Sequence, residues 1–151
     1  MEYIIVSVII MYKNDIQKYL TIRNIKATVP YDTAIGSGYI KDLLQQYSSD
    51  NTIPVPDKYY LVIDNYINYL QNENPQPITT INKLTKCFDM ASYFDDKFYF
   101  QYLMQQAFNN WATLSPTIYD ERNKDIQRER DVLVYSFFTC TKRIYGHTNI
   151  L

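Results

Sequence analysis

The sequence predicts a mixed α+β fold in which a small N-terminal sheet is flanked by a cluster of helices and followed by a C-terminal extension. Three observations predict it. The first thirty residues hold apolar, β-compatible runs, MEYIIVSVIIM at 1–11 and IQKYLTIRNIKATV at 16–29. After Val29 the hydrophobic period changes, and apolar residues recur at i, i+3, i+4 and i+7, the spacing of one helical face. The helical stripes are then separated by loop-forming stretches and by a pair of aspartates.

In chain order, residues 1–11 read as a strand, or as an extension upstream of a start at Met11. This run is too short to span a bilayer and lacks the basic start and small-residue cleavage site of a secretory signal. Residues 16–29 form two short β-compatible runs around Arg23-Asn24, a pattern that predicts a tight edge hairpin. Pro30 turns the chain toward helix, with Asp32 a candidate cap for a short turn and Ser37 a candidate cap for GYIKDLLQQY. There Ile40, Leu43, Leu44 and Tyr47 share one face, and Gly36 and Gly38 permit a sharp change of direction. The prolines of IPVPD disfavour helix at the residues before them, so 53–57 reads as a loop entering a short edge strand.

A helix is predicted over 58–70, where Tyr59, Val62, Ile63, Tyr66, Ile67 and Leu70 keep helical spacing. QNENPQPITT at 71–80 is the most loop-like stretch. Two further helices are expected at 84–94, beginning near Ile81, and at 97–111. Their stripes are Leu84, Cys87, Phe88 and Ala91, then Phe100, Leu103, Met104, Ala107 and Trp111. Asp95 and Asp96 interrupt them, and either aspartate can cap the second helix. Ile63, Ile67, Phe88, Ala91 and Leu103 lie at the centres of their stripes and are the predicted core. Ser115-Pro116 is a cap and first-turn pair, and the mixed charges of 120–131 read as a solvated helix face. VLVYSFF at 132–138 is apolar enough to dock on the core or on a partner, and its periodicity does not decide between strand and helix.

Composition narrows the function classes. A chain of 151 residues buries roughly 70% of the surface its unfolded form exposes, so a sizeable core needs no covalent staples. The net charge of -1 argues against a nucleic-acid-binding stripe. Cys87 and Cys140 have no paired metal-ligand or disulfide spacing and read as reduced thiols of an intracellular protein, cytoplasmic or nuclear. No Asn-X-Ser/Thr acceptor occurs, which fits that compartment. Heavy use of Ile, Asn, Tyr and Lys points to an AT-rich coding genome, of the kind some protists and large DNA viruses carry. His147, the single histidine, lies near the end of the sequence, and no glycine pattern forms a phosphate cradle. No catalytic residue, cofactor, metal site, membrane or nucleic-acid partner is therefore predicted. Many of the sixteen tyrosines fall on the amphipathic helices, where their half-polar rings suit cores and protein interfaces.

Read in order, ATVPYDTAIGSGYIKDLL, IPVPD, YYLVIDNYINYL and ENPQPITTINKLTKCFDMASYFDDKFYFQYL resemble the BTB/POZ fold, closest to its short branch of cullin adaptors, elongin C-like and F-box-binding. The resemblance covers about 16–111. The family's A-x-x-S-x-x-I-K-x-[ML] pattern is matched by Ala34, Ser37, Ile40, Lys41 and Leu43. Its L-x-x-x-x-x-A-x-[YF]-[LF]-D pattern is matched by Leu84, Ala91, Tyr93, Phe94 and Asp95. Each pattern is weak alone, and their order and intervals carry the likeness. The acidic insertion before the proline-flanked strand is short, and residues after Ser115 do not reproduce the F-box-binding end, which implies a different partner there.

The resemblance implies a BTB/POZ-like domain over 1–114 and an extension over 115–151. It implies an adaptor joining a cullin-type scaffold to a substrate receptor, with Ser92, Tyr93, Asp95 and Phe98 contacting the scaffold. For Tyr93 and Phe98, core packing is an equal alternative. The other functional reading is a self-associating structural or scaffold protein, a homodimer or oligomer that uses the same fold without a cullin.

Overall fold

The computed structural model describes residues 2–46, 51–73, 76–110, 112–114 and 124–146. It is mixed α+β, and the chain divides into two compact units, residues 1–75 and 76–151.

The first unit is built on a three-stranded sheet of order β2-β1-β3, with β1 at Tyr3–Lys13, β2 at Tyr19–Pro30 and β3 at Thr52–Pro56. Tyr3 to Met11 of the opening run thus lies in the central strand. β2 pairs antiparallel to β1, and β3 pairs parallel to it, Ser7 opposite Thr52 through Met11 opposite Pro56. The hairpin predicted at Arg23-Asn24 is displaced. The chain reverses instead at Asn14–Lys18, where the Asn14 side-chain oxygen accepts the Ile16 and Lys18 N–H groups at 3.1 and 3.0 Å and Gln17 takes φ 62°. Asn is suited to this role because its short amide can mimic a backbone turn.

What sits near Arg23 is a bulge. Ile10 lies opposite Arg23 but Met11 lies opposite Thr21, which leaves Ile22 as the extra residue on β2. One face of the sheet carries the buried Val6, Val8, Ile10, Ala27, Ile53 and Val55. Alternate side chains such as Ile5 and Lys26 point the other way and are exposed.

Helix α1, Tyr31–Ala34, is a single turn whose N-cap is Pro30, so Asp32 lies in the first turn instead of capping it. Ser37 caps α2, Gly38–Gln45, as expected: its Oγ accepts the Ile40 N–H at 3.1 Å. The helix predicted over 58–70 is shorter. Asp57–Tyr59 forms a 3-10 turn, and α3 spans Ile63–Leu70. Its stripe is nonetheless intact, with Tyr59, Val62, Ile63, Tyr66, Ile67 and Leu70 all buried.

The second unit is helical: α4 at Ile81–Phe94, α5 at Lys97–Asn109 and α6 at Lys124–Tyr145. Thr80 caps α4 by accepting the Lys83 N–H at 3.2 Å. VLVYSFF lies within α6, which packs on α4, so the residues expected to form an extension contribute to this unit. Buried Ser136, Cys140 and Ile144 recur at i, i+4 and i+8 and form the inward face of α6. Phe88, Phe100 and Phe137, one ring from each helix, lie 5.5 to 5.7 Å apart by centroids. Such tilted and edge-on rings add about 0.5–1.5 kcal/mol per pair beyond the area they bury. All five predicted core residues are buried. Trp111, Tyr47 and the expected cap at Ser115-Pro116 lie outside the residues whose side chains are described.

Candidate interaction surface

The turn between α4 and α5 is fixed by its two aspartates, which have different tasks. Asp95 takes the left-handed conformation, φ 49° and ψ 53°. Its N–H donates to the Ser92 carbonyl at 3.1 Å, and the Asp96 N–H donates to the Ala91 carbonyl at 3.2 Å. These two bonds make a Schellman end, which closes the last carbonyls of α4. Asp96 is fully buried, and its Oδ1 accepts the N–H groups of Phe98 and Tyr99 at 3.1 and 3.0 Å. One residue ends a helix and the next begins another, so α5 leaves the turn in a single direction.

The predicted contact residues are distributed around this turn. Phe98 stands 50% exposed on the first turn of α5, with the Lys97 ammonium 5.1 Å from its ring centre. Asp95 is exposed. Tyr93 is half-buried and edge-on to Phe94 at 5.5 Å. Ser92 is buried and offers the least surface of the four. The motif residues around them are mostly structural: Ala34, Ser37, Ile40, Leu84, Ala91 and Phe94 are all buried, while Lys41 is exposed.

A second feature of the same unit has no counterpart among the predicted sites. Between α5 and α6 lies an apolar cleft of about 500 Å³. Its floor includes Phe88, Ala107, Leu133 and Phe137, and its rim carries Met104, Phe108, Val134 and Phe138. Phe108 is 77% exposed and Phe138 63%. Met104, expected in the α5 core stripe, is exposed instead, because the buried face of α5 is made by Tyr99, Phe100 and Leu103 and Met104 lies to one side of it. The sequence signal for the cleft was present in VLVYSFF. In the α-helix this run turns Leu133, Ser136 and Phe137 inward and leaves Val132, Val134, Tyr135 and Phe138 outside.

No family model matches the chain, and no match was found to a curated protein or a solved structure. The geometry alone therefore carries the functional reading. Among the described residues no helix is long and apolar enough to cross a membrane, and no group of three His, Cys, Asp or Glu is placed to hold a metal ion. Both thiols are buried. Burial pushes Cys87 up to about 11, opposed by a hydrogen bond with Tyr99 and by the Lys83 charge. Cys140 is pushed up to about 12, first by burial, then by Asp89 and Asp95, with Arg143 opposing.

Proposed function

We propose that this chain is a protein–protein interaction adaptor of BTB/POZ type that joins a cullin-type scaffold to a substrate-recognition partner. The observation that carries the reading is Phe98, an exposed aromatic ring on a turn held rigid by Asp95 and Asp96. A ring presented from a fixed backbone loses little freedom on binding, and interface energy concentrates in a few aromatic anchors. The order of elements supports the same reading. A strand pair leads to the Ser37-capped helix, a proline-flanked strand and a further helix follow, and a helical hairpin turns at Asp95-Asp96.

Titration calorimetry of the chain with a cullin N-terminal domain tests it. Tyr93→Ala and Phe98→Ala should each weaken binding by about 2 kcal/mol, and the pair should abolish it with the helical circular dichroism unchanged. Binding that survives the double substitution removes this turn as the contact. Absence of wild-type binding favours the alternative, a self-associating scaffold, for which the open apolar cleft of α5 and α6 is the supporting observation.

A further inference from the structure

We propose that two copies of this chain associate through α6 and the α5–α6 cleft, as a twofold dimer in which the two α6 helices run antiparallel. On α6 the buried Ser136, Cys140 and Ile144 mark the inward face. Asp131, Val134, Phe138 and Lys142 fall at i, i+3, i+7 and i+11, on the side away from it, and all four are exposed. The stripe has a carboxylate at its N-terminal end, an ammonium at its C-terminal end and two apolar side chains between them. Among the described residues neither Asp131 nor Lys142 has an ion-pair partner.

Charge decides the orientation of the second copy. The two charged residues are about 16 Å apart along the helix, from the 1.5 Å rise per residue. A parallel copy in register sets carboxylate against carboxylate and ammonium against ammonium. An antiparallel copy centred between Val134 and Phe138 sets Asp131 beside Lys142 of the second copy, and Lys142 beside its Asp131. The apolar residues then close on one another in the middle.

Shape favours the same occupant. A twofold interface uses one patch on both molecules, so that patch must carry both projection and recess. Here the exposed rings of Phe108 and Phe138 stand at the rim of a cleft floored by Phe88 and Phe137. The surface that needs filling is next to the rings that can fill it. The dimer does not use the turn at Asp95 and stands independently of the adaptor reading.

Sedimentation equilibrium of the full chain, up to about 100 μM, is the test. The wild type should dimerise. Asp131→Lys and Lys142→Asp should each raise the dissociation constant about tenfold or more. The two together restore opposite charges at both contacts and should recover the wild-type constant to within about threefold. Phe138→Ser, at an exposed position, should give monomers that keep the wild-type helical circular dichroism, with thermal unfolding lowered only by the lost association. A wild type that stays monomeric, a dimer indifferent to Phe138→Ser, or a double charge swap that fails to recover association overturns the proposal.

Discussion

Arg23 and Asp64 meet as a two-pronged ion pair, with Nη2 2.9 Å from Oδ1 and Nη1 3.1 Å from Oδ2, tying β2 to the first turn of α3. The bulge at Ile22 adjoins Arg23, whose guanidinium also lies 5.8 Å from the centre of the Tyr60 ring. Both partners are substantially exposed, so solvent screens the attraction. A double-mutant cycle in urea should give a coupling of about 0.2–1 kcal/mol that shrinks in high salt. Arg23→Lys should lose most of it, because an ammonium cannot reproduce the fork.

Asp95 and Asp96 should respond oppositely to substitution. Asp96→Ala removes the acceptor for two N–H groups at the start of α5 and should cost about 1–2 kcal/mol, with Asp96→Asn costing much less. Asp95→Gly should be neutral or stabilising, since glycine holds positive φ without penalty, whereas Asp95→Val should cost about 1–2 kcal/mol. Chemical denaturation of the four variants reads the difference.

Ile67 lies at the centre of the buried stripe of α3. Ile67→Ala should destabilise by about 2–5 kcal/mol, whereas Leu61→Ala, at a highly exposed position, should change stability by less than about 0.5 kcal/mol. Equal effects at the two positions would show that Ile67 does not lie in the core described.

The buried thiols give a pH-dependent signature. Their folded values, about 11 and about 12, lie above the ordinary value of 9.0, so the folded chain holds these protons more tightly than the unfolded chain. Their contribution to stability is full below about pH 9 and is lost as pH rises toward the folded values. At pH 8 a thiol raised by two units presents about a hundredfold less thiolate than a free cysteine. Iodoacetamide at that pH should leave Cys87 and Cys140 unmodified in the native chain and alkylate both in denaturant. Rapid native labelling of either would show that the helices open.

The helices were legible wherever one face is buried and the other wet. Tyr59 to Leu70 and Leu84 to Ala91 kept a clean period, and the five central residues lie in the core. The strands were harder. Ile16 to Val29 appeared interrupted at Arg23-Asn24 because a bulge mimics a turn in a one-dimensional pattern, while the true reversal rests on a single Asn14 side chain. VLVYSFF could not be assigned because it is apolar on both sides, and that property leaves Val134 and Phe138 outside the unit. At the α4–α5 turn, sequence located the residues but could not divide their tasks. Which aspartate ends one helix and which begins the next depends on a backbone dihedral.

The placement of β1 between β2 and β3 has a consequence for how the chain acquires its structure. Its antiparallel partner follows after a five-residue turn, and such hairpins close within about 1–10 μs. Its parallel partner arrives only about forty residues later, and closing so long a loop carries an entropic cost that local contacts do not offset. The first unit is therefore expected to fold in two stages: an early β1–β2 hairpin with one side of its older strand open, then capture of β3 once α1 and α2 have turned the chain back. Residues lost from the beginning of β1 would remove the template on which both stages depend, so N-terminal trimming should slow refolding more than equal trimming after α6.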